Sequence, residues 1–186
     1  DYRRNPAQLD SIITTINALK ADKNLQVMGI NIHGFASPEG SYKHNEYLAK
    51  NRAITLTEYV RKMVDLPDSI FIVSSTAEDW DGLCEYIKSS NLEKKEQLLA
   101  IAQDEKLAPD ARDAKLKQQY PTQYRTLLTL YYPALRHSDY HITYKIKPFD
   151  VEEAKEIMKT KPQQLSLNEL FMVAQTYEVG SKEFNK

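Results

Sequence analysis

The chain has 186 residues, which suits one good-sized domain or one domain with a small appendage. Its 25 basic and 26 acidic side chains leave a net charge of −1, so there is no overall attraction to nucleic acid or to anionic lipid. The single cysteine, Cys84, excludes an internal disulfide, and no apolar run approaches the roughly 18 residues that a membrane-spanning helix needs.

Helical and strand patterns alternate along the first part of the chain. Apolar residues at helical spacing follow Pro6, which suits the first turn of a helix. A period of two begins at Val27 and places Asn31 and His33 on the face opposite to the apolar one, and Ser41 suits the N-cap of the next helix. The predicted elements are a helix over 6–21, a strand over 27–35, a loop over 34–40, a helix over 42–63 and a buried strand over 69–75.

The interval 79–134 reads as a run of short helices. Pro109 suits the first turn of one helix, Asn91 is a candidate N-cap for another, and residues 124–131 predict the last. Aromatic residues cluster in the second half of this interval, and we interpret them as packing a helical layer onto the sheet. They are Tyr120, Tyr124, Tyr131 and Tyr132.

From residue 140 to the end of the chain, the sequence predicts one strand followed by a pair of helices. Apolar and polar residues alternate over 140–147, which predicts a half-buried strand. Helical patterns then resume after Val151, break at Pro162 and stop at Gly180, so residues 150–186 predict a helical hairpin. A further helix is expected from Ser181, as in the first piece of a helical array.

Most patterns that mark an enzyme are absent from the sequence. It contains neither a phosphate-binding Gly-rich loop nor a Gly-x-Ser-x-Gly turn. His137 and His141 fall on or beside a strand, where four residues separate two side chains by roughly 13 Å, so we interpret them as surface histidines. Ser37 and His33 lack the third member of a catalytic set, and Cys84 lacks a neighbouring histidine or cation. We therefore expect no catalysis, no cofactor and no metal site.

The loop 34–40 and the helix that follows it form a candidate binding site. The loop 34–40 leads into a helix whose N-terminus offers unpaired N–H groups that attract anions. Arg52 on that helix can grip a carboxylate with its planar fork, and Glu39 in the loop can attract an ammonium group. Together they would suit a zwitterionic ligand that resembles an amino acid. The alternative is that Arg52 simply pairs with Glu39 or with a loop carbonyl.

The same residues carry a family resemblance. The stretch 33–40 reads His-Gly-Phe-Ala-Ser-Pro-Glu-Gly, and the pattern Asn-x-x-Leu-Ala-x-x-Arg-Ala follows over 45–53. This resembles the C-terminal domain of the OmpA-like family, which tethers the Gram-negative outer membrane to peptidoglycan and has the pattern Gly-His-Thr-Asp-x-x-Gly, then Tyr-Asn-x-x-Leu-Ser-x-x-Arg-Ala. The likeness covers about 5–78 and 135–148, where Arg136 leads into a strand similar to the Arg-rich closing strand of the family.

The resemblance implies a ligand and a set of contacts. In the family, the loop Asp takes the ammonium group of the stem-peptide diaminopimelate and the helix Arg takes its carboxylate. Arg52 and Asn45 match the family's Arg and Asn, whereas Ser37 occupies the Asp position. Losing that carboxylate would cost on the order of 1.5–3 kcal/mol, and Glu39, two residues along, is a partial substitute. The implied peptidoglycan contacts are therefore Ser37, Glu39, Asn45 and Arg52.

Pattern and resemblance together predict an α/β (α+β) sandwich, with a small mixed sheet and helices on one face. Residues 1–149 are expected to form the OmpA-like domain, with a helical insertion at about 79–134, and residues 150–186 a truncated tetratricopeptide-like appendage. The chain begins at Asp1 without Met, so we expect a piece of a longer protein in which a first strand lies before residue 1.

The expected function is that of a noncatalytic module of the cell envelope, at the periplasmic face of the outer membrane, that contacts peptidoglycan through the loop 34–41 and Arg52. The alternative is an OmpA-like scaffold without peptidoglycan binding, whose insertion and helical tail bind envelope proteins during surface-structure assembly. Exposed tyrosines in the insertion would favour that alternative, because protein interfaces are enriched in them.

Overall fold

The computed structural model describes residues 5–181 of the protein, and this part of the chain has an α+β fold. Eight α-helices and a three-stranded mixed sheet make up the described residues. The helices are α1 (Asn5–Ala21), α2 (Tyr42–Met63), α3 (Trp80–Ser89), α4 (Lys95–Ala102), α5 (Pro109–Gln119), α6 (Pro121–Thr126), α7 (Val151–Thr160) and α8 (Leu167–Ala174). The strands are β1 (Leu25–Phe35), β2 (Phe71–Thr76) and β3 (Ser138–Ile146).

The sheet has the strand order β2-β1-β3. β1 and β2 are parallel, in a register that pairs Ile30 with Phe71 and ends with Phe35 opposite Thr76. β3 runs antiparallel to β1, because Phe35 donates its N–H to the carbonyl of His137 (2.9 Å) while Gly29, six residues earlier, lies beside Thr143, six residues later. The predicted mixed sheet is therefore confirmed, in its coarse form of one small sheet among helices.

Helix α2 packs against one face of this sheet. Ile30 and Ile32 are fully buried there, and Gly34 on the same face approaches the backbone of α2 closely. A Cβ atom at position 34 would overlap the carbonyl oxygen of Ala49 and lie 2.9 Å from the backbone nitrogen of Ala53. The small residues on both elements, Gly34 on β1 and Ala49 and Ala53 on α2, thus let the end of β1 lie directly on the helix that follows it.

The described residues divide into two compact units. The first comprises residues 5–18 and 28–143, and the second comprises residues 19–27 and 144–181. The division between them in the last third of the chain falls at 143/144. The expected domain boundary at 149/150 stays a prediction.

The insertion has a hydrophobic core of its own. Its fully buried members include Leu83, Leu98 and Leu116, contributed by three different helices. Tyr124 and Tyr132 belong to the same core, and Tyr120 and Tyr131 pack against it half-buried. The tyrosine cluster therefore packs the core of the insertion itself and does not offer the exposed aromatic surface that would favour a protein-binding role, while its packing onto the sheet stays a prediction.

Two strand predictions were wrong in their burial. β2 was predicted as a buried strand, yet only Phe71 of its apolar run is buried, and Ile72 and Val73 are exposed by 57% and 41%. β3 was predicted as half-buried, yet Tyr144 and Ile146 are exposed by 50% and 67%. Both strands lie at an edge of the sheet, where an apolar pattern does not ensure that another element covers the side chains.

Helix ends inside the insertion also differ from expectation. Asn91 does not cap α4, which instead begins after Lys94 in a left-handed backbone conformation (φ 61°). The helix predicted over 124–131 begins earlier, at Pro121, and its second half is a π-helical turn over Leu127–Tyr131. Pro109 does occupy the first turn of α5, as predicted.

The second unit contains a helical hairpin with well-defined caps. Asp150 and Glu153 form a capping box at the start of α7, and Ser166 and Glu169 form another at the start of α8. Ala154 and Val173 are fully buried between the two helices. α8 ends at Ala174, before Gly180 (φ 89°), and the helix expected from Ser181 lies outside the described residues.

Candidate functional site

The site loop, residues 36–41, connects β1 to α2 and is tied down at both ends. The carbonyl of Ala36 accepts a hydrogen bond from the N–H of Asp79 (2.9 Å). Gly40 has a φ of +92°, which a residue with a side chain adopts only at a cost. Ser41 then caps α2 by accepting from the N–H of His44 through its hydroxyl, as the sequence predicted.

Asn45 braces this loop from inside the protein. Its side chain is 3% exposed, and its amide donates to the carbonyl of Glu39 and to the carboxylate of Glu78, both at 3.0 Å. Glu78 also accepts from the indole N–H of Trp80 (2.8 Å), which completes a buried chain of polar groups. Burial raises the pKa of Glu78, and the two donated hydrogen bonds oppose that rise. Asn45 therefore holds the loop and does not face solvent.

Ser37 and Glu39 are both held by Arg136, which lies just before β3. Arg136 donates from Nε to the hydroxyl of Ser37 (3.0 Å), and its guanidinium forms an ion pair with the carboxylate of Glu39. Ser37 is 4% exposed, so little of it remains accessible. The two loop residues that were expected to contact a ligand are thus engaged with an arginine of the same chain.

Arg52 lies on α2, two helical turns beyond Asn45. One of its terminal nitrogens donates to the carbonyl of Phe35 (2.7 Å), so the alternative pairing with a carbonyl at the loop is what the structure contains. Burial and the nearby charge of Arg136 lower the pKa of Arg52, whereas Glu39 raises it. A guanidinium keeps its charge in spite of such shifts and has five N–H donors, so this half-buried cation has donors beyond the one that Phe35 takes.

An open cleft of about 1410 Å³ borders Arg52. Arg136, Asp139 and His141 line the same cleft, together with residues of α1, β1 and α2. None of residues 36–41 belongs to its lining, and neither does Asn45. Of the four residues that the sequence suggested as ligand contacts, only Arg52 lies on the cleft wall.

The N-terminus of α2 is not an open anion site. The N–H of Tyr42 donates to the carboxylate of Asp110 in α5 (2.7 Å), and the N–H groups of His44 and Asn45 donate to Ser41. Three N–H groups of the first turn, those of Tyr42, His44 and Asn45, are therefore bonded within the protein. The negative charge that lies at the positive end of the α2 dipole is that of Asp110, a residue of the insertion.

The other candidate groups do not assemble into a reactive set. His33 directs its two ring nitrogens to the hydroxyls of Ser74 and Thr76, each at 2.7 Å, while Ser37 is bonded to Arg136. Cys84 is buried, and that burial raises the pKa of its thiol, the opposite of what activates a nucleophile. Within residues 5–181, no three or more histidine, cysteine or acidic side chains are grouped so that they could hold a metal ion.

Sequence reasoning missed two roles at this site. It noted Arg136 only as part of a closing strand, although Arg136 fixes the loop through contacts 97 and 99 residues away along the chain. Asp139 has no signal in the sequence, because it alternates with apolar residues on a strand like any solvated side chain. Only the three-dimensional placement of β3 beside β1 brings Asp139 to the same cleft as Arg52.

Comparison of the chain with models of protein families, with curated proteins and with solved structures gives no match. Over residues 5–181, each helix is either too short or too polar to cross a membrane.

Proposed function

We propose that this protein is a noncatalytic module of the cell envelope that contacts peptidoglycan, with Arg52 as the residue that receives a stem-peptide carboxylate. The observation that carries the proposal is the position of Arg52, a half-buried cation on the wall of an open cleft. A carboxylate that enters this cleft would meet a planar donor fork whose orientation is already fixed by the bond to Phe35.

The charge balance around Arg52 favours an anionic group. Two guanidinium groups, those of Arg52 and Arg136, lie near one carboxylate, that of Glu39, so these three groups together carry one positive charge. The pKa of Arg52 is lowered mainly by burial, which means that its charged form lacks part of the stabilisation it has in water. A bound carboxylate would supply that stabilisation directly.

Asp139 is the group that we assign to a ligand ammonium. Glu39, which the sequence suggested for this role, is paired with Arg136, whereas Asp139 lines the cleft with its side chain 67% exposed. Its carboxylate lies 3.5 Å from Nε2 of His137. Arg52 and Asp139 thus provide one cation and one anion on a shared cleft, the pair that an amino-acid-like zwitterion requires.

Ser37, Glu39 and Asn45 take a supporting role in this proposal. Arg136 holds the first two and Asn45 holds the backbone of the loop, so that the carbonyl of Phe35 stays where Arg52 bonds to it. The family's loop carboxylate has no counterpart at position 37, and the cleft acid on β3 replaces it. Location at the periplasmic face of the outer membrane is part of the same proposal and rests on the resemblance.

Binding to purified sacculi tests the proposal. Arg52→Ala should weaken retention of the protein by about ten- to a hundredfold in affinity, because a charge-assisted hydrogen bond is lost. Arg125→Ala is the matched control, since Arg125 is an exposed arginine on α6 and does not line the cleft. Asp139→Asn should weaken binding to sacculi as well.

Two outcomes would contradict the proposal. One is equal retention of the wild type and Arg52→Ala, and the other is no retention of either. Because Arg52 also bonds to Phe35, thermal unfolding of each variant should be measured, and Arg52→Lys should retain the charge while losing the fork. The protein-binding scaffold remains the alternative proposal, but the buried tyrosines no longer support it.

A further inference from the structure

The cleft that Arg52 borders is longer than a single amino acid. Its volume of about 1410 Å³ exceeds the roughly 300–1,000 Å³ of pockets that hold a drug-sized ligand. Along α2 its lining runs from Leu48 to Tyr59, a length of about 16 Å. An extended peptide advances about 3.3 Å per residue, so this length suits about five residues of peptide. A single zwitterion at Arg52 therefore fills only part of the cleft.

The part of the cleft between α1 and α2, which we call the α1–α2 groove, carries free polar groups. α1 contributes Gln8, Ser11 and Ile12, and α2 contributes Leu48, Thr55 and Leu56. Both segments belong to the first unit, and the walls of the groove are helices and not strand edges. In the described part of the chain, the side chains of Gln8, Ser11 and Thr55 form no hydrogen bond, so their donors and acceptors are available to a ligand.

The apolar members of the α1–α2 groove lie deeper than the polar ones. Ile12 is 5% exposed and Leu48 and Leu56 are half-buried, whereas Gln8 and Thr55 are exposed. A peptide suits such a surface, because the apolar parts of its side chains gain from burial while each backbone N–H and C=O needs a hydrogen-bond partner. Gln8 offers a donor and an acceptor in its carboxamide, and Thr55 offers both in its hydroxyl.

We propose that the α1–α2 groove binds the stretch of stem peptide next to the zwitterionic residue, with Gln8 and Thr55 as hydrogen-bond partners of its backbone. This inference rests on the proposed function, because it starts from a carboxylate held at Arg52. Along the axis of α2, Thr55 lies about 5 Å and Tyr59 about 10 Å beyond Arg52. An extended peptide therefore passes Thr55 with its second residue beyond the zwitterion and reaches Tyr59 with its third.

NMR titration of the 186-residue chain with two probes tests this assignment. The first probe is diaminopimelate alone, and the second is the stem tripeptide that ends in diaminopimelate. We expect the wild type to bind the tripeptide about tenfold more tightly, because backbone hydrogen bonds and apolar burial are added. The amide signals of Gln8 and Thr55 should shift on addition of the tripeptide and stay in place on addition of diaminopimelate.

Substitution of two groove residues tests which side chains are responsible. Gln8→Ala combined with Thr55→Ala should weaken binding of the tripeptide about tenfold and change the affinity for diaminopimelate far less. Both positions are exposed and helical, where alanine favours the fold. The matched control combines Gln118→Ala with Thr14→Ala. It changes an exposed glutamine and an exposed threonine on helices away from the cleft lining and should behave as the wild type.

The outcomes separate this inference from the proposed function. If Arg52→Ala weakens binding of both probes but the wild type binds them equally tightly, the groove assignment is overturned and the proposed function stands. The groove assignment is also overturned if the double variant at Gln8 and Thr55 keeps the preference for the tripeptide or loses affinity for both probes alike. If neither probe binds, or if Arg52→Ala leaves both affinities unchanged, the proposed function fails and the groove assignment fails with it.

Discussion

Asp110 of α5 accepts a hydrogen bond from the backbone N–H of Tyr42, the first residue of α2, at 2.7 Å. The two residues are 68 positions apart, so the helical insertion closes the exposed end of the helix that carries Asn45 and Arg52. The carboxylate also lies at the positive end of the helix dipole. The insertion therefore stabilises the site helix in addition to packing its own core.

Replacing Asp110 with Ala should lower the free energy of unfolding by about 0.5–2 kcal/mol, because the first turn of α2 loses an acceptor and a favourable charge. Urea unfolding followed by circular dichroism would measure the change. Glu105→Ala serves as the comparison, since Glu105 is an exposed acid in the same insertion. A loss of stability that is the same in both variants would show that Asp110 acts only through net charge.

Gly34 is the position at which an added methyl group should do most harm to the first unit. Its Cβ would overlap the carbonyl oxygen of Ala49 and crowd the nitrogen of Ala53, and both of those atoms belong to a helical backbone that cannot yield locally. Gly34→Ala should therefore destabilise the protein by about 1–3 kcal/mol or more.

Gly29 provides the control within the same strand. The nearest atoms to a Cβ there are 3.9 and 4.0 Å away, which is ordinary contact. Gly29→Ala should leave the stability nearly unchanged or raise it slightly, because alanine restricts the unfolded chain. Thermal unfolding of the two variants in parallel checks both expectations, and an equal loss at both positions would contradict the close packing of β1 on α2.

Local sequence patterns predicted the elements of the site well and its contacts less well. The bounds of α2, Tyr42–Met63, agree with the predicted range of roughly 42–63, because the Ser41 cap and the helical spacing of small residues are local signals. The placement of Arg52 two turns beyond Asn45 follows from the same periodicity. What these side chains touch was not predictable in this way. Arg136 reaches Glu39 from 97 residues away, and no spacing rule links two such positions.

The burial of the edge strands shows the same limit. Alternation in β3 correctly predicted a strand and assigned Tyr140 and Tyr144 to one face. Whether that face is covered depends on which strand lies outermost in the sheet and on what packs over it. The strand order and the covering element are properties of the topology, and they cannot be read from the residues of the strand alone.

Asp113 should make the stability of the first unit depend on pH. It is buried in the insertion core, where burial raises the pKa of its carboxyl above the ordinary value of 3.8, although the hydroxyl of Tyr124 donates to it at 2.8 Å. The folded state thus binds more protons than the unfolded state just above that value. The contribution of this group to stability is therefore greatest at low pH and is lost as the pH rises through the raised pKa.

Asp113→Asn removes this dependence and keeps an oxygen that can accept from Tyr124. Urea unfolding at a series of pH values should show the variant gaining on the wild type as the pH rises from about 4, until the wild-type carboxyl is fully ionised. Glu105→Gln, at an exposed position, should show no such gain. A constant difference between Asp113→Asn and the wild type at all pH values would contradict the expectation.

Glu169 should give the second unit the opposite dependence on pH. Its carboxylate accepts from the hydroxyl and the N–H of Ser166, both at 2.7 Å, and from the N–H of Phe149, and the first of these contacts does most to lower its pKa. The unfolded state therefore binds more protons below the ordinary value of 4.5, and this stabilisation, present above that value, is lost as the pH falls through the lowered pKa. Glutamine at this position can accept through only one atom.

Urea unfolding, followed by the NMR amide signals of residues 167–174, should show Glu169→Gln unfolding at a clearly lower urea concentration than the wild type at pH 7. The difference between the two midpoints should narrow towards pH 3. Glu178→Gln, which changes an exposed carboxylate of the same unit, should follow the wild type throughout, and a gap for Glu169→Gln that does not narrow in acid would rule out this role.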